Sequence, residues 1–524
     1  MIINTATCLY SQSPRQQPEL FMSNLYNLFK ERFPQDLTKS FIETKDGKQY
    51  SYQELINLTS TYESTMANAG IVKGDRVIFQ VKKSPEAIFL YLACLKLGAI
   101  AVPLNNSYTA SELSYFLDDI EPGMVVCDPA SPIIKDKLLH ARDRTSLLTL
   151  DEHGKGSLFK NADNFSHSVQ VADVIGGDVA CILYTSGTTG KPKGAMITHG
   201  NLSSNALTLQ QCWGFNKDDI LLHALPIFHV HGLFVALNCA LLSGTPMIFL
   251  AEFNVDDIIK FLPRATVLMG VPTFYTRLLS HPGLDSSTLK NMRLFISGSA
   301  PLLKEVSDDF YTKTGHRILE RYGMTETVMI ASNPLKGERI PGTVGQALAN
   351  IDVRITTEDD KTLEVGATGN IQVSGPNVFK GYWRNPEKSQ EEFTKDGFFK
   401  TGDVGFLDNK GYLTIVGRSK DLIISGGYNV YPKEIENIMN TLDGIHESAV
   451  IGVPHPDFGE GVIAVIVKEK NNKFDESNLK SLLKQELATY KVPKRIFDIS
   501  EMPINVMGKV QKNSLRDKYR HVFE

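Results

Sequence analysis

The chain has 524 residues, 42% hydrophobic and 22% charged, with a formal net charge of −4. That length exceeds one ordinary core and points to two or more domains, and the charge balance offers no broad basic surface for nucleic acid. The six cysteines (Cys8, Cys94, Cys127, Cys181, Cys212, Cys239) show no metal-binding spacing and read as buried thiols of a reducing compartment.

Residues 1–19 read as a short tail, because no charged region precedes an apolar core as in a secretory leader. Their Ser, Thr and Gln content with a single arginine is thin support for a transit peptide. Cytosol is the expected compartment, with the mitochondrial matrix as the alternative. From 20 to 170, strand and helix patterns alternate. Residues 75–81, 99–104 and 124–127 are apolar runs of strand length, and Pro85 opens a helical stretch to about Leu97. This alternation predicts a mostly parallel sheet covered on both faces, with ligands outside the carboxyl ends of its strands.

The apolar run 179–183 predicts a buried strand leading into YTSGTTGKPKG at 184–194. Three glycines, four Ser/Thr hydroxyls and two lysines in eleven residues suit a phosphate cradle: backbone N–H groups turn inward while hydroxyls and ammonium groups add donors and charge. The spacing is not that of the common phosphate loop. Gly187 stands three residues before Gly190, and Pro192 follows Lys191 where Ser or Thr is required. A polar surface turn is the alternative.

The most apolar stretch, 233–250, is interrupted by Asn238, Ser243, Gly244, Thr245 and Pro246, which predicts a core helix and a strand rather than a membrane span. Further strands are expected at 220–225, 246–250, 266–269 and 293–297. Short strands with glycine turns at 351–355, 369–373 and 411–416 predict a β-rich subdomain over about 344–416. Beyond the charged break at 417–421, helices near 432–442 and 476–488 and strands at 446–453 and 461–468 predict a small α+β domain. The expected organisation is a tail (1–19), a large α/β domain (20–419) and a C-terminal lid (420–524).

The full string at 184–194 resembles the signature loop of the adenylate-forming enzymes: acyl-CoA synthetases, luciferases and peptide-synthetase adenylation domains. Three more motifs follow in that superfamily's order: ERYGMTET at 320–327, KTGD at 400–403 with GR at 417–418, and PINVMGKVQK at 503–512. Each alone has an ordinary reading as a loop acid, turn Asp, surface Arg or solvated Lys. The resemblance implies that Thr185, Ser186, Gly187, Thr188, Thr189, Gly190, Lys191 and Lys193 cradle the ATP phosphates. It puts Ala300, Glu320, Arg321, Tyr322, Gly323, Met324 and Thr325 around the nucleotide, with Tyr322 on adenine and Thr325 at the α-phosphate. Glu326 and Thr185 would hold Mg²⁺, and Asp403 the ribose hydroxyls with Arg418 nearby. Lys509 would be the adenylation lysine, which offsets charge as pyrophosphate leaves. Ile504 departs from the pattern, which has arginine after the proline.

The resemblance further implies two steps. Acid and ATP give an acyl-adenylate and pyrophosphate; then the small domain swings about Lys420 and a thiol attacks. Gly426, Gly427 and Tyr428, in SGGYNVYP at 425–432, would line the thiol's tunnel. No carrier domain follows residue 524, so free coenzyme A is the expected acceptor.

LPIFHVHG at 225–232 matches the superfamily's acid gate, with His229 at the gating position and in the catalytic set with Lys509, Thr185 and Glu326. A zinc pair at His229 and His231 is the alternative, with no third ligand visible nearby. Arg277 lies in the helical stretch 271–279. From spacing alone, a cation for a substrate carboxylate and an arginine snorkelling to the surface are equal readings. Ser299 offers a hydroxyl. Segments 267–279, 293–303 and 377–384 resemble the malonyl-CoA synthetase (malonate–CoA ligase) family, in which the matching arginine and serine hold the distal carboxylate. That implies malonate, with methylmalonate as a second substrate. The alternative is a synthetase for a medium-chain fatty or aryl acid, with Arg277 facing outward. A non-catalytic relative is disfavoured by the presence of Lys509 and Glu326, and an ADP-forming transferase by the loop spacing. Oligomeric state stays open.

Overall fold

Helix Pro85–Leu97 shows how local rules become layers. Ser84 caps it by accepting from the Ala87 N–H, Pro85 occupies the first turn, and Gly98 ends it at φ +72°. All thirteen of its residues are buried, as expected of a helix apolar on nearly every side, with Glu86 and Lys96 its only charges, and enclosed by other layers. The computed structural model describes residues 24–139, 145–160, 170–185, 192–426, 428–469, 475–505 and 509–524.

Among these, one sheet runs Gly381–Tyr382, Lys193–Thr198, Val179–Thr185, Ile100–Pro103, Arg76–Gln80, Met124–Cys127, Ser146–Thr149. From Val179–Thr185 onward its neighbours are parallel. A second sheet runs Gln346–Ala347, Ala331–Ser332, Leu319–Tyr322, Leu294–Ser297, Val267–Gly270, Leu221–His223, Met247–Phe249, Ser40–Thr44, Gln49–Ser51. Strands Asp352–Thr356, Gly369–Ser374, Phe399–Leu407 and Leu413–Arg418 form an antiparallel sheet where the β-rich subdomain is expected. The C-terminal sheet is built on the long pair Ile445–His455 and Gly459–Lys468. One apolar core gathers side chains from Leu25 to Leu413, and others start at Ile423. The expected fold class, a large α/β body with a small α+β body after it, is the one observed.

Two local features differ from the simple reading. The loop after Val179–Thr185 returns as an antiparallel strand, Lys193–Thr198, so it joins two strands of a hairpin. The stretch 233–250 lies within a π-helix, His231–Ala236, running into Leu237–Ser243 and then strand Met247–Phe249. No helix among the described residues is long and apolar enough to cross a membrane. Cys94, Cys127, Cys181 and Cys239 are buried, as expected, while Cys212 is half-buried; Cys8 lies outside the described residues.

Candidate active site

Parallel neighbours bring their following loops to one edge. Leu294–Ser297 pairs with Val267–Gly270 on one side and Leu319–Tyr322 on the other. The segments after them carry Arg277, Ser299 and Glu326, and the segment after Leu221–His223 carries His229 and His231. Five stations separated by up to a hundred residues thus meet outside the carboxyl ends of one sheet.

At one end, the Tyr322 hydroxyl donates to Asp403 Oδ2 at 2.5 Å, and Arg418 Nε holds Oδ1 at 2.9 Å. Asp403 and Arg418 are register partners across two antiparallel strands, so the backbone fixes their pairing. Burial, then the Asp403 charge, drives the Tyr322 phenol pKa well up. Glu326 is 5% exposed, and its Oε1 accepts from the Tyr382 hydroxyl at 3.0 Å. Burial raises its carboxyl pKa; the cation that acts on it, Arg418, is already paired with Asp403. A desolvated carboxylate sharing its counter-charge fits a site for a divalent cation.

Tyr382 is a participant that the sequence reading missed. It pairs through its backbone with Ala195, and Lys193 Nζ lies 5.1 Å from its ring. It ties the strand leaving the phosphate loop to Glu326. Thr185 ends the entering strand, and Tyr115 holds the Pro192 carbonyl at 2.8 Å. Ser186, Gly187, Thr188, Thr189, Gly190 and Lys191 lie outside the described residues.

Lys509 comes from the C-terminal body, yet Arg418, Asp403, Arg321 and Glu326 of the large body all act on its ammonium. Burial, then Arg418, lowers its pKa. It remains solvent-accessible as a residue, and the crowding is that of a cleft wall. If the cationic form is the working form, activity is present below the folded-state pKa and lost as pH rises through it. That loss sets in below the usual lysine range near 10.4. Acid-dependent ATP–pyrophosphate exchange measured against pH should show it, and Lys509→Arg should move the fall to higher pH.

The other end lies on the opposite face of Leu319–Tyr322. Side chains alternate along a strand, so Arg321 points away from the side that Tyr322 shares with Asp403. Arg321 is 4% exposed, and its Nε and Nη2 have no hydrogen-bond partner. Burial pulls its pKa down to about 9. Its guanidinium packs on Gly298, where an added Cβ would stand 2.3 Å from Cζ. Ser299 follows in the left-handed region at φ +71°, with Oγ 3.3 Å from His231 Nδ1. Strain of this kind in a non-glycine residue clusters at functional sites. His229 and His231 each have an unpartnered buried Nε2. Burial, then Lys509, holds His229 near a pKa of about 4. Burial, then Arg321 and His223, drives His231 well below its ordinary value. Both rings are neutral at pH 7.

Arg277 is exposed on helix Pro272–Leu279, with its guanidinium 5.8 Å from the Phe253 ring, which stacks on Phe274. The cost of burying a lone cation therefore falls on Arg321. Among the described residues no three His, Cys, Asp or Glu side chains gather as a metal cluster. Glu320 is buried and accepts from the Gly342 N–H at 3.1 Å; burial lifts its pKa to about 8. Ala300, Met324 and Thr325 are half-buried, and Gly323 has no room for a side chain, a Cβ there standing 1.9 Å from the Val328 carbonyl oxygen.

Lys420 sits in the turn Ser419–Asp421. Ser419 Oγ contacts Asn370 Oδ1 at 3.0 Å in the large body, and Asp421 is held at 2.7 Å by Arg516 of the C-terminal helix. Gly426 (φ +60°) and Tyr428 are exposed, Tyr428 at 58% and stacked on Tyr490; Gly427 lies outside the described residues.

Known proteins bear on this arrangement. A family model described as AMP-binding enzyme matches residues 29–383, and one described as AMP-binding enzyme C-terminal domain matches 434–509. The malonate–CoA ligase of Arabidopsis thaliana is 35% identical, covering 90% of this chain and 85% of that protein. A long-chain-fatty-acid–CoA ligase of Bacillus subtilis is 32% identical over 93% of this chain and 92% of its own. The ATP-bound crystal structure of MatB from Rhodopseudomonas palustris is 50% identical, with a TM-score of 0.93 over 96% of this chain and 99% of that one. Its apo form scores 0.82. With motifs, topology and both matched segments in agreement, the chain belongs to the AMP-binding enzyme family.

Proposed function

We propose that the protein is an AMP-forming malonate–CoA ligase, converting malonate, ATP and coenzyme A into malonyl-CoA, AMP and diphosphate. The observation that carries the acid's identity is Arg321: a buried cation with two unpaired N–H groups, beside Ser299 and His231. Such a cation calls for a buried anion. A substrate with a second carboxylate supplies it, in the fork geometry that guanidinium favours. Arg277 adds positive charge on the neighbouring helix Pro272–Leu279. Arg321 stands near enough to Lys509 for its charge to act on that ammonium, and ends that close suit a short diacid. Methylmalonate fits the same ends. A fatty or aryl acid is the second reading, supported by the Bacillus relative, but its apolar tail would leave Arg321 unpaired.

In the first step a carboxylate oxygen attacks the α-phosphorus and diphosphate leaves. Tyr322 and Asp403 orient the nucleotide, and Lys509 offsets the charge on the departing side. Mg²⁺, held by Glu326 with Thr185, would supply neutralisation of the triphosphate. Neutral His229 lines the gate without repelling Lys509. In the second step the C-terminal body turns about Lys420, between Ser419, anchored to the large body, and Asp421, anchored to the small one. Gly426, Gly427 and Tyr428 then line the pantetheine path, and the thiolate attacks the acyl carbon as AMP leaves. Buried free thiols suit a reducing compartment such as the cytosol.

The test is product analysis with malonate, ATP, Mg²⁺ and coenzyme A, beside octanoate. The expected result is AMP and malonyl-CoA, with octanoate a poor substrate. ADP as product, or octanoyl-CoA with malonate ignored, would overturn the reading.

A further inference from the structure

Val328 stands just after Glu326 and Thr327, in a conformation that valine rarely takes: φ +51°, at 1% exposure. Such strain persists only where the surroundings over-determine it, and it clusters at functional sites. Here the bracing comes from a distant segment. Asn377 Nδ2 donates to the carbonyls on both sides of Val328, to Thr327 at 2.7 Å and to Met329 at 3.1 Å. Asn205 Nδ2 adds a second bond to the Met329 carbonyl at 2.9 Å. The Phe379 N–H donates to the Glu326 carbonyl at 2.8 Å. The main chain around Glu326 is therefore set from outside its own motif.

The same segment reaches the Glu326 side chain. The Tyr382 hydroxyl donates to Oε1 at 3.0 Å, and Tyr382 is itself 5% exposed. Its own position is fixed three ways. Its N–H donates to Ser389 Oγ at 2.8 Å, its backbone pairs with Ala195 of the strand leaving the phosphate loop, and the Phe379 ring packs edge-on with centroids 4.9 Å apart. An ionised carboxylate can accept about four bonds. One donor on Oε1 fixes the plane of the group and leaves the remaining lone pairs for a cation. Partners of this kind behind a ligating carboxylate orient it and tune its affinity.

We infer that Tyr382 is a positioning residue for the divalent cation: its hydroxyl sets the plane of the Glu326 carboxylate, while Asn377 and Phe379 set the main chain beneath it, so the ligand oxygens are aimed before the nucleotide arrives. The inference rests on Glu326 as the cation's carboxylate in the reading above, and adds the residues that aim it. The ordinary role for such a phenol is to satisfy a buried acid, and that role has no preference for a metal.

The experiment uses α,β-methylene-ATP, which cannot release diphosphate, titrated calorimetrically with Mg²⁺ or with EDTA. The proteins are wild type, Tyr382→Phe, Glu326→Gln and the double variant. Tyr382→Phe should weaken binding of the Mg²⁺ complex about 10- to 100-fold, the usual cost of losing a partner behind a metal ligand. It should leave metal-free binding unchanged, and should have no further effect once Glu326 is Gln. Equal weakening of both nucleotide forms, or a full effect of Tyr382→Phe in the Glu326→Gln background, overturns the role of Tyr382 and leaves Glu326 as the cation's carboxylate. If Glu326→Gln keeps the whole Mg²⁺ advantage, the reading of Glu326 falls and the inference falls with it. Hydrogen exchange on wild type decides the matter even if the Phe variant fails to fold. The Phe379 amide should exchange more slowly with the Mg²⁺ complex than with the metal-free nucleotide, and equal rates overturn the proposal.

Discussion

Lys509→Ala should lower acid-dependent ATP–pyrophosphate exchange about 10²–10³-fold, the usual effect of removing one preorganised donor from a developing charge. The same variant should convert chemically made malonyl-adenylate and coenzyme A to malonyl-CoA at close to the wild-type rate. The split follows from position. Lys509 reaches the cleft only because the C-terminal body is docked as observed, with Arg418, Asp403, Arg321 and Glu326 acting on it. Tyr428 and Gly426, the residues expected beside the pantetheine arm, are solvent-exposed in this arrangement. Serving the second step requires the body to turn, and turning withdraws Lys509. Equal loss in both half-reactions would mean that Lys509 supports the fold of the small domain or serves both steps.

Arg321→Leu should cost malonate about 2–5 kcal/mol of binding, the penalty for removing one member of a buried, hydrogen-bonded charge pair. That is a rise in KM of tens- to thousands-fold. The same change should improve use of propionate or butyrate, because it removes a buried cation that such acids leave unsatisfied. Thermal stability should hold or rise, since an unpaired charge leaves the core of the empty enzyme. Arg277→Ala should have a smaller effect, because Arg277 is solvent-exposed with its charge beside the Phe253 ring. If Arg277→Ala abolishes malonate use and Arg321→Leu does not, the distal carboxylate sits on the exposed arginine.

Much of the fold was legible because its signals are local. The Ser84 cap, Pro85 and Gly98 delimit their helix, and the apolar runs at 124–127 and 294–297 need no tertiary context to read as strands. Lys509, Glu326 and Asp403 were legible because each sits in a short continuous string. What the strings hid is which face of the sheet each residue serves. ERYGMTET runs Arg321 and Tyr322 together as one nucleotide motif, but strand alternation sends them to opposite sides. The argument that a buried arginine needs a carboxylate was attached to Arg277, which is exposed, whereas Arg321 is buried. Tyr382 contacts Glu326 across 56 residues of sequence, a pairing that no local pattern announces. His231 entered only as half of a zinc pair, and its bond to Ser299 spans 68 residues. The hairpin after the phosphate loop was missed because Lys193 and Gly194, which open strand Lys193–Thr198, were read as the end of the loop.

The central claim is that a buried cation selects a second carboxylate. The most direct measurement is kcat/KM of the wild-type enzyme for malonate against monomethyl malonate, which keeps the length and removes the distal charge. A site built to hold a polar group rejects the analogue lacking it by about 10⁴–10⁵ at the strong end, and a ratio of at least about 10³ is the predicted result. Comparable values for the two acids would contradict it and would leave an AMP-forming ligase whose acid is chosen by shape alone.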